Sequence, residues 1–333
     1  MRLGKNLLLN PRGYQMKTRI AALTSLALLA GIGLAGCAGP SVLNPQGPIA
    51  AANRTILLNS LAIMLVIVIP TIIGILIFAW WYRASNTKAR HQPNFVYSGR
   101  IELIVWSIPL LVILFLGGVI WVGSHELDPF RQLPGDEKPI EVQVVSLDWK
   151  WLFIYPDQGV ASVNELVIPA GKPVHFSLSS ATVMNSFFVP QLGSMIAVMN
   201  GMVTQLNLKA DQPGTYYGQS TQFSGDGFSD MHFNVRAVLD GDFEAWINKV
   251  KGAGEPLNKS SYSALAQPSQ AVSPKAFGTV DQGLFQDIVK QPSPPVSTSA
   301  KNTPSAAMRD VSGHQGTGHP SGDHGASTGT GGL

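Results

Sequence analysis

Cys37 is the one cysteine in the 333 residues. It cannot build an intrachain disulfide, a thiolate metal cluster or a CxxC redox motif by itself. Among the histidines, His314, His319 and His324 recur at five-residue intervals near the C-terminus. Because that region is rich in Ser, Thr, Gly and Pro, it cannot bury a core, and we interpret it as a solvated tail rather than a metal site.

Glu102 is a carboxylate at the start of an apolar run with no further charge until after residue 122. Residues 56–82 form a second charge-free apolar run. Each run matches the roughly 20 residues that cross a bilayer core, which predicts two transmembrane helices at 56–82 and 101–122. Carboxylates at such positions commonly mark proton pathways, so Glu102 is a candidate proton-entry group. The alternative is a hydrated carboxylate at the interface without a role.

Charge on either side of the helices predicts their orientation. The residues between them carry four basic side chains and no acid: Arg83, Lys88, Arg90 and Arg100. Glu126 and Asp128 follow the second helix. The positive-inside rule therefore places the connecting loop in the cytoplasm and both termini outside.

The N-terminal region has the form of an export signal. Lys17 and Arg19 precede an apolar stretch too short to span a membrane comfortably, with Met1 or Met16 as the start. Leu34-Ala35-Gly36-Cys37 resembles the bacterial lipobox, in which the cysteine is lipidated. We therefore predict a signal peptide over 1–36, and a lipidated N-terminus with two helices over 37–123. The alternative is a buried cysteine in an ordinary signal sequence.

Residues 124–255 predict an all-β domain exported from the cytoplasm. Short apolar runs alternate with Gly, Pro, Asn and Asp, as in an antiparallel sandwich or Greek-key barrel. The predicted strands are 140–147, 149–155, 165–168, 174–179, 185–189, 203–208, 214–218 and 231–238. Phe243, Trp246, Ile247 and Val250 predict an amphipathic helix behind the capping candidates Asp240 and Asp242. Acids outnumber bases here, which argues against nucleic-acid binding.

Two further segments complete the predicted organisation of the chain. Residues 256–292 form a C-terminal extension suited to docking on the rest of a complex. Residues 293–333 form a disordered tail of Ser, Gly and His.

Three motifs in this order resemble subunit II of haem–copper terminal oxidases. They are DWKW (148–151), VMNSFFVPQLG (183–193) and GTYYGQSTQFSGDGFSDM (214–231), preceded by two helices and a lipobox. The resemblance covers the chain from the lipobox to about Val289. It implies a membrane-anchored, cupredoxin-like domain packed over a large catalytic subunit.

The resemblance also implies where a binuclear copper centre would lie in relatives that oxidise cytochrome c. The pattern there is a His before the S-F/W-x-V-P-x-L-G strand and C-x-E-x-C-x3-H-x2-M in the last loop. In this chain the six matching positions hold Asn185, Ser220, Gln222, Ser224, Phe228 and Met231. Serine hydroxyls cannot replace bridging thiolates, and His232 would point to the opposite face from Met231. We therefore predict that these are vestigial positions and that the chain binds no metal or other cofactor.

With its copper-ligand positions replaced, the chain resembles the quinol-oxidising branch of this family, the cytochrome bo-type ubiquinol oxidases of the bacterial inner membrane. The resemblance implies a subunit without catalytic residues of its own, associated with membrane lipid and with subunits I, III and IV. Haems and copper would lie in the catalytic subunit, with ubiquinol as substrate of the complex. In the family, a Glu matching Glu102 lies by the mouth of a proton channel. The alternatives are a cytochrome c oxidase subunit II and an exported ligand-binding lipoprotein.

Two groups of side chains near the vestigial positions have a structural interpretation. Trp149 and Trp151 are expected on one face of a strand, where packing is favoured over electron entry. Met184, Met195, Met199 and Met202 are expected to fill the core rather than bind metal.

Overall fold

The computed structural model describes residues 42–90, 92–134 and 137–291. Two long helices, α1 (Pro48–Trp81) and α2 (Gly99–Glu126), precede a β-sandwich with further helices at its C-terminal end. Both are long and apolar enough to cross a membrane. The predicted signal peptide, Cys37 and the predicted tail with its three histidines lie outside the described residues.

The helices extend beyond the predicted spans chiefly at the end that contacts the β domain, where α1 begins at Pro48 and α2 ends at Glu126. Pro48 begins α1, where its fixed φ suits a first helical turn. One turn later, Asn53 Nδ2 donates to Ser194 Oγ at 3.0 Å. After α2, the Asn207 amide N–H donates to the Pro129 carbonyl at 3.2 Å. The domain is thus hydrogen-bonded to the chain at the same end of both helices.

Gly123 allows α1 and α2 to approach closely at this end. A Cβ atom at Gly123 would lie 2.7 Å from Ile56 Cδ1, closer than two carbon atoms tolerate. The small residue therefore lets the two backbones pack together, as small residues commonly do between membrane helices.

Twelve strands form two sheets within the described part of the chain. One sheet has seven strands in the order β11-β12-β3-β2-β1-β5-β8, and the other five in the order β4-β10-β9-β6-β7. The strands are β1 (Ile140–Leu147), β2 (Lys150–Tyr155), β3 (Val160–Val163), β4 (Glu165–Pro169), β5 (Pro173–Ser180), β6 (Asn185–Phe188), β7 (Ile196–Val198), β8 (Thr204–Lys209), β9 (Gly214–Ser220), β10 (His232–Val238), β11 (Glu255–Leu257) and β12 (Lys275–Val280).

The core between the sheets is built from aromatic and branched side chains. Trp151 and Phe187 meet edge to face at 5.5 Å between centroids, and Phe187 stacks on Phe233 at 5.1 Å. All three are at most 1% exposed. A two-layer β domain after two membrane-type helices confirms the predicted fold class.

Three strand pairs are parallel, which departs from the antiparallel pairing predicted for the sandwich or Greek-key barrel. They are β1 with β5, β4 with β10 and β11 with β12. The alternation of apolar residues indicates which face of a strand is buried, but it does not specify the direction of the neighbouring strand. The strands β3, β7, β11 and β12 were also absent from the sequence prediction.

The amphipathic helix is α3 (Asp240–Ala253), which buries Phe243, Ile247 and Val250. Its N-cap is Leu239, and no side chain caps it, so neither Asp240 nor Asp242 has the predicted capping role. Asp240 instead forms an ion pair with Lys172 at 2.7 Å. The acids still lie in the first turn, where negative charge favours the helix dipole.

The folded unit does not end near Glu255, where the sequence placed a boundary. Helices α4 (Lys259–Leu265) and α5 (Leu284–Lys290) pack on the outer face of the seven-stranded sheet. That second core contains Leu257, Tyr262, Phe277, Phe285 and Ile288, all at most 5% exposed. Because β12 hydrogen-bonds along β3, residues 256–291 complete the sheet rather than only extending from it.

Candidate functional site

Asn185 and Ser220 lie side by side on neighbouring strands. Asn185 begins β6 and Ser220 ends β9, and Phe187 pairs with Ser220 across the two strands. Ser220 Oγ donates to Asn185 Oδ1 at 3.2 Å, and Asn185 Nδ2 donates to Ser146 Oγ at 2.7 Å. Asn185 is 1% exposed and Ser220 is 5% exposed. At two of the six vestigial positions, buried amide and hydroxyl groups therefore form hydrogen bonds with neighbouring polar side chains.

The loop after β9 brings three more of these positions to the same place. The Ser220 amide N–H donates to the Met231 carbonyl at 3.1 Å, and Ser220 Oγ lies 3.4 Å from the Gln222 carbonyl. Ser224 Oγ donates weakly to the buried Met231 Sδ at 3.8 Å. The structure therefore juxtaposes the segments that the motif spacing aligned.

Phe228 occupies the sixth position. It begins a short 3-10 turn (Phe228–Asp230) and is partly buried. Its ring meets that of Phe223 edge to face at 5.6 Å. An aromatic pair, which is apolar, therefore stands where an imidazole ligand would be needed.

These six side chains do not fit a binuclear copper centre. Bridging thiolates would be required at Ser220 and Ser224, where the hydroxyls are protonated at neutral pH and already hydrogen-bonded. Only the Met231 thioether remains as a copper-type donor. Within the described residues no three His, Cys, Asp or Glu side chains form a group able to hold a metal ion. His232, next in sequence to Met231, is exposed and stacks on Tyr217 at 5.7 Å.

Trp149 lies in the turn between β1 and β2, not on a strand with Trp151 as predicted. Its φ of +64° is left-handed, which is uncommon for an aromatic residue. The indole Nε1 donates to the Ser224 carbonyl at 3.1 Å. The ring covers Gly225 and Gly227, where a Cβ atom at Gly227 would come within 2.5 Å of it. Trp149 thus holds the loop after β9, which contains Gln222, Ser224 and Phe228.

Residues 266–272, which we term the strap, cross the domain beside Trp149. Lys150 Nζ donates to the Gln267 carbonyl at 2.7 Å and to Ser269 Oγ at 2.5 Å. Lys150 is 1% exposed, and this burial lowers its pKa, opposed in part by the charge of Asp148. Asn164 Nδ2 donates to the Val272 carbonyl at 2.8 Å. These anchors were not predicted, because a lysine in a strand gives no sign of the segment, over a hundred residues later, that covers it.

Glu102 lies in the first turn of α2, as the sequence indicated. It is exposed, and its carboxylate has no hydrogen-bond or ion-pair partner among the residues described by the structure. The arrangement leaves this carboxylate available to solvent or to a neighbouring subunit.

Comparison with known proteins places this architecture among oxidase subunits. Residues 156–238 match the family model described as "Cytochrome C oxidase subunit II, periplasmic domain", and residues 251–292 match the "COX Aromatic Rich Motif", which includes the strap. The chain is 47% identical to "Ubiquinol oxidase subunit 2" of Acetobacter aceti, covering 81% of this chain and 87% of that protein.

Two further proteins are similar over shorter or more divergent stretches. Identity to "Cytochrome bo(3) ubiquinol oxidase subunit 2" of Pseudomonas aeruginosa is 45%, covering 81% of each chain. The periplasmic domain of subunit II of the cytochrome oxidase of Bradyrhizobium japonicum is 25% identical, with a TM-score of 0.34, covering 37% of this chain and 98% of that one.

Proposed function

The chain belongs to the ubiquinol oxidase subunit 2 family, and from this premise we propose that it is the cofactor-free subunit II of a proton-pumping oxidase that passes electrons from ubiquinol to oxygen. The observation that carries the proposal is the hydrogen bond from Ser220 to Asn185 at 3.2 Å, at positions that would need copper ligands in a cytochrome c oxidase. Electron entry through this domain would require those ligands. A lipid-soluble quinol can instead reach the catalytic subunit within the bilayer.

The role of the chain in such a complex is to brace the catalytic subunit. It contributes no catalytic residue of its own, and the haems and copper belong to subunit I. Subunits III and IV complete the assembly. Two contacts support a bracing role: Asn53 in α1 bonds to Ser194, and Asn207 bonds to Pro129 in the segment just after α2. Together they fix the domain beside its two helices.

The proposed location is the bacterial inner membrane, with the β domain in the periplasm. Helices α1 and α2 both cross the bilayer, and the basic loop between them faces the cytoplasm. Cys37 carries the lipid after removal of the signal peptide. Glu102 then lies at the cytoplasmic end of α2, where its carboxylate admits protons to the catalytic subunit.

A ligand-binding lipoprotein is the competing function of a different class. A single lipid anchor would serve that role, so two additional apolar helices are not accounted for by it. Membership of the oxidase subunit family also argues against it.

Purification of the tagged full-length chain in mild detergent tests the proposal. We expect haem-containing subunit I to co-purify, and oxygen uptake to be driven by ubiquinol but not by reduced cytochrome c. Haem and copper should be recovered with the catalytic subunit when the subunits are separated. A matched preparation with an untagged chain controls for nonspecific retention. Purification without haem, or turnover driven only by cytochrome c, would contradict the proposal.

A further inference from the structure

Three methionine side chains are exposed beside the vestigial positions, so the core-filling interpretation is wrong for them. Met184 is 45% exposed, and Met195 and Met202 are each 53% exposed. Met199 is partly buried. Side chains that fill a core lie away from water, and these three do not. Their sulfur atoms therefore need another explanation.

Met184 and Met199 lie opposite each other on adjacent segments. The antiparallel pair β6–β7 ends with Asn185 across from Val198, which places Met184 across from Met199 one step further. Ser180 ties both segments together: its Oγ donates to the Val183 carbonyl at 2.6 Å and its N–H to the Met199 carbonyl at 3.3 Å. Opposite residues of an antiparallel pair have Cα atoms about 5 Å apart and side chains on the same face.

Met199 and Met202 are the two ends of one tight turn. Its central residues are Asn200 and Gly201, and the φ of +74° at Gly201 fits the third position of a type II turn. The Cα atoms at the ends of such a turn are less than about 7 Å apart. Asn200 Nδ2 fixes the turn by donating to the Ser180 carbonyl at 3.1 Å and the Ala181 carbonyl at 3.2 Å.

The geometry points to a Cu(I) site formed by the thioether sulfurs of Met184, Met199 and Met202. Thioethers are soft, neutral ligands that favour Cu(I) over hard divalent ions. Val183 and Val203, each 44% exposed, are the sequence neighbours of Met184 and Met202, so this surface carries further exposed apolar side chains. The site has no thiolate, so it holds copper exchangeably and is not a resident redox centre. It goes beyond the proposed oxidase function and does not depend on the electron donor.

Competition for Cu(I) in the intact detergent-solubilised complex tests this site. The complex is titrated anaerobically with Cu(I) against the chromophoric chelator bicinchoninate, in the presence of ascorbate. The variants are Met184→Leu, Met199→Leu and Met202→Leu, singly and together. Leucine retains the apolar volume and removes only the sulfur. Met195→Leu is the matched control, because Met195 is equally exposed but contacts Thr221 at the other end of the β6–β7 hairpin.

We expect the wild type and Met195→Leu to bind one more Cu(I) ion than the triple variant. Each single variant should bind it roughly tenfold or more weakly, as removal of a ligand is at least as severe as loss of a supporting group. X-ray absorption at the copper edge should detect sulfur neighbours that the triple variant lacks. Equal binding by wild type and triple variant would overturn the proposal. An equal loss of Cu(I) binding in Met195→Leu would also overturn it. So would failure of the leucine variants to assemble into the complex, because the methionines would then be needed for packing between subunits.

Discussion

Replacing Asn185 with leucine tests whether hydrogen bonding holds the vestigial positions together. The substitution removes the amide but keeps a side chain of similar size. Ser146 Oγ, in a residue that is 0% exposed, then loses its donor at 2.7 Å. Leaving a buried hydroxyl unpaired costs about 1–3 kcal/mol. Ser220 Oγ still has the Gln222 carbonyl at 3.4 Å as an acceptor. Loss of its hydrogen bond to Asn185 should therefore cost less than the unpaired Ser146 hydroxyl, about 1 kcal/mol.

We therefore expect Asn185→Leu to lower the free energy of unfolding by about 2–4 kcal/mol. Ser146→Ala alone should also destabilise, because it removes the acceptor of the Asn185 amide. In the Asn185→Leu background, however, Ser146→Ala removes an unpaired hydroxyl and should restore about 1 kcal/mol. The sign of the Ser146 effect thus depends on which side chain stands at position 185.

The assay is equilibrium urea unfolding of the full-length chain in mild detergent, followed by intrinsic tryptophan fluorescence, to which the buried Trp151 contributes. Ser162→Ala serves as a control, because Ser162 is buried and bonded to the Glu165 carbonyl, in a different part of the sheet. Its effect should be the same with either side chain at position 185. If the Asn185 and Ser146 effects add within about 0.5 kcal/mol, the two side chains are not coupled and the reasoning fails.

Four further predictions concern the anchor, the proton path, the copper positions and a buried phenol. Cys37→Ser should prevent lipidation, which mass spectrometry would detect. The protein should nevertheless stay in the membrane, because spanning helices anchor more strongly than acyl chains. Release of the variant by a salt wash would refute this. Glu102→Ala should slow turnover several-fold across pH without loss of assembly, with Glu102→Asp partly active, whereas normal turnover would leave the carboxylate without a role. Five substitutions made together should create a coloured thiolate–copper site with two coppers, which the wild type lacks. The reason is that Met231 and the loop spacing are retained. A folded variant that stays colourless with excess copper would show that the loop alignment is mistaken. The five substitutions are Asn185→His, Ser220→Cys, Gln222→Glu, Ser224→Cys and Phe228→His. Tyr262→Phe should raise stability by about 1 kcal/mol, since the phenol is buried without a hydrogen-bond partner in the described residues.

Tyr262 also makes the stability of the protein depend on pH, and the sign of this dependence follows from its pKa. Burial raises the pKa of Tyr262 to about 12. Between the ordinary pKa near 10 and this value, the unfolded chain loses a proton that the folded chain retains, so stability falls as pH rises. Unfolding measured across this window should show a smaller alkaline loss for Tyr262→Phe. An equal loss in both proteins would contradict the assignment.

Features determined by local pattern were predictable from the sequence. A charge-free run of about 20 residues permits few alternatives in a membrane protein, so both helices were found. The spacing of Ser220, Ser224 and Met231 was enough to match the loop to the copper-site pattern, and the hydrogen bonds around Ser220 and Met231 agree with that match. Strand β1 was predicted with its observed ends, Ile140–Leu147, because Ile140, Val142 and Val144 alternate with polar residues and a turn follows Leu147.

Features that depend on distant partners were not predictable. Trp149 and Trp151 were predicted on one face of the strand 149–155, but Trp149 adopts a left-handed turn stabilised by contact with a loop 75 residues later. Exposure of Met184 and Met202 could not be inferred, because methionine is equally suited to cores and surfaces. The strap was missed because Lys150 and Asn164, whose side chains anchor it, lie more than a hundred residues earlier in the sequence.

The short strand β11 has a consequence for coexistence with other proteins at a crowded membrane surface. An open sheet edge offers unpaired N–H and C=O groups to any passing extended chain. Here β12 covers β3, and the new edge is only three residues long, with Pro256 at its centre and Glu255 paired to Lys275 at 2.7 Å. Proline has no N–H to donate, so this margin resists strand addition. A chain cut short before residue 275 would expose β3 and should aggregate.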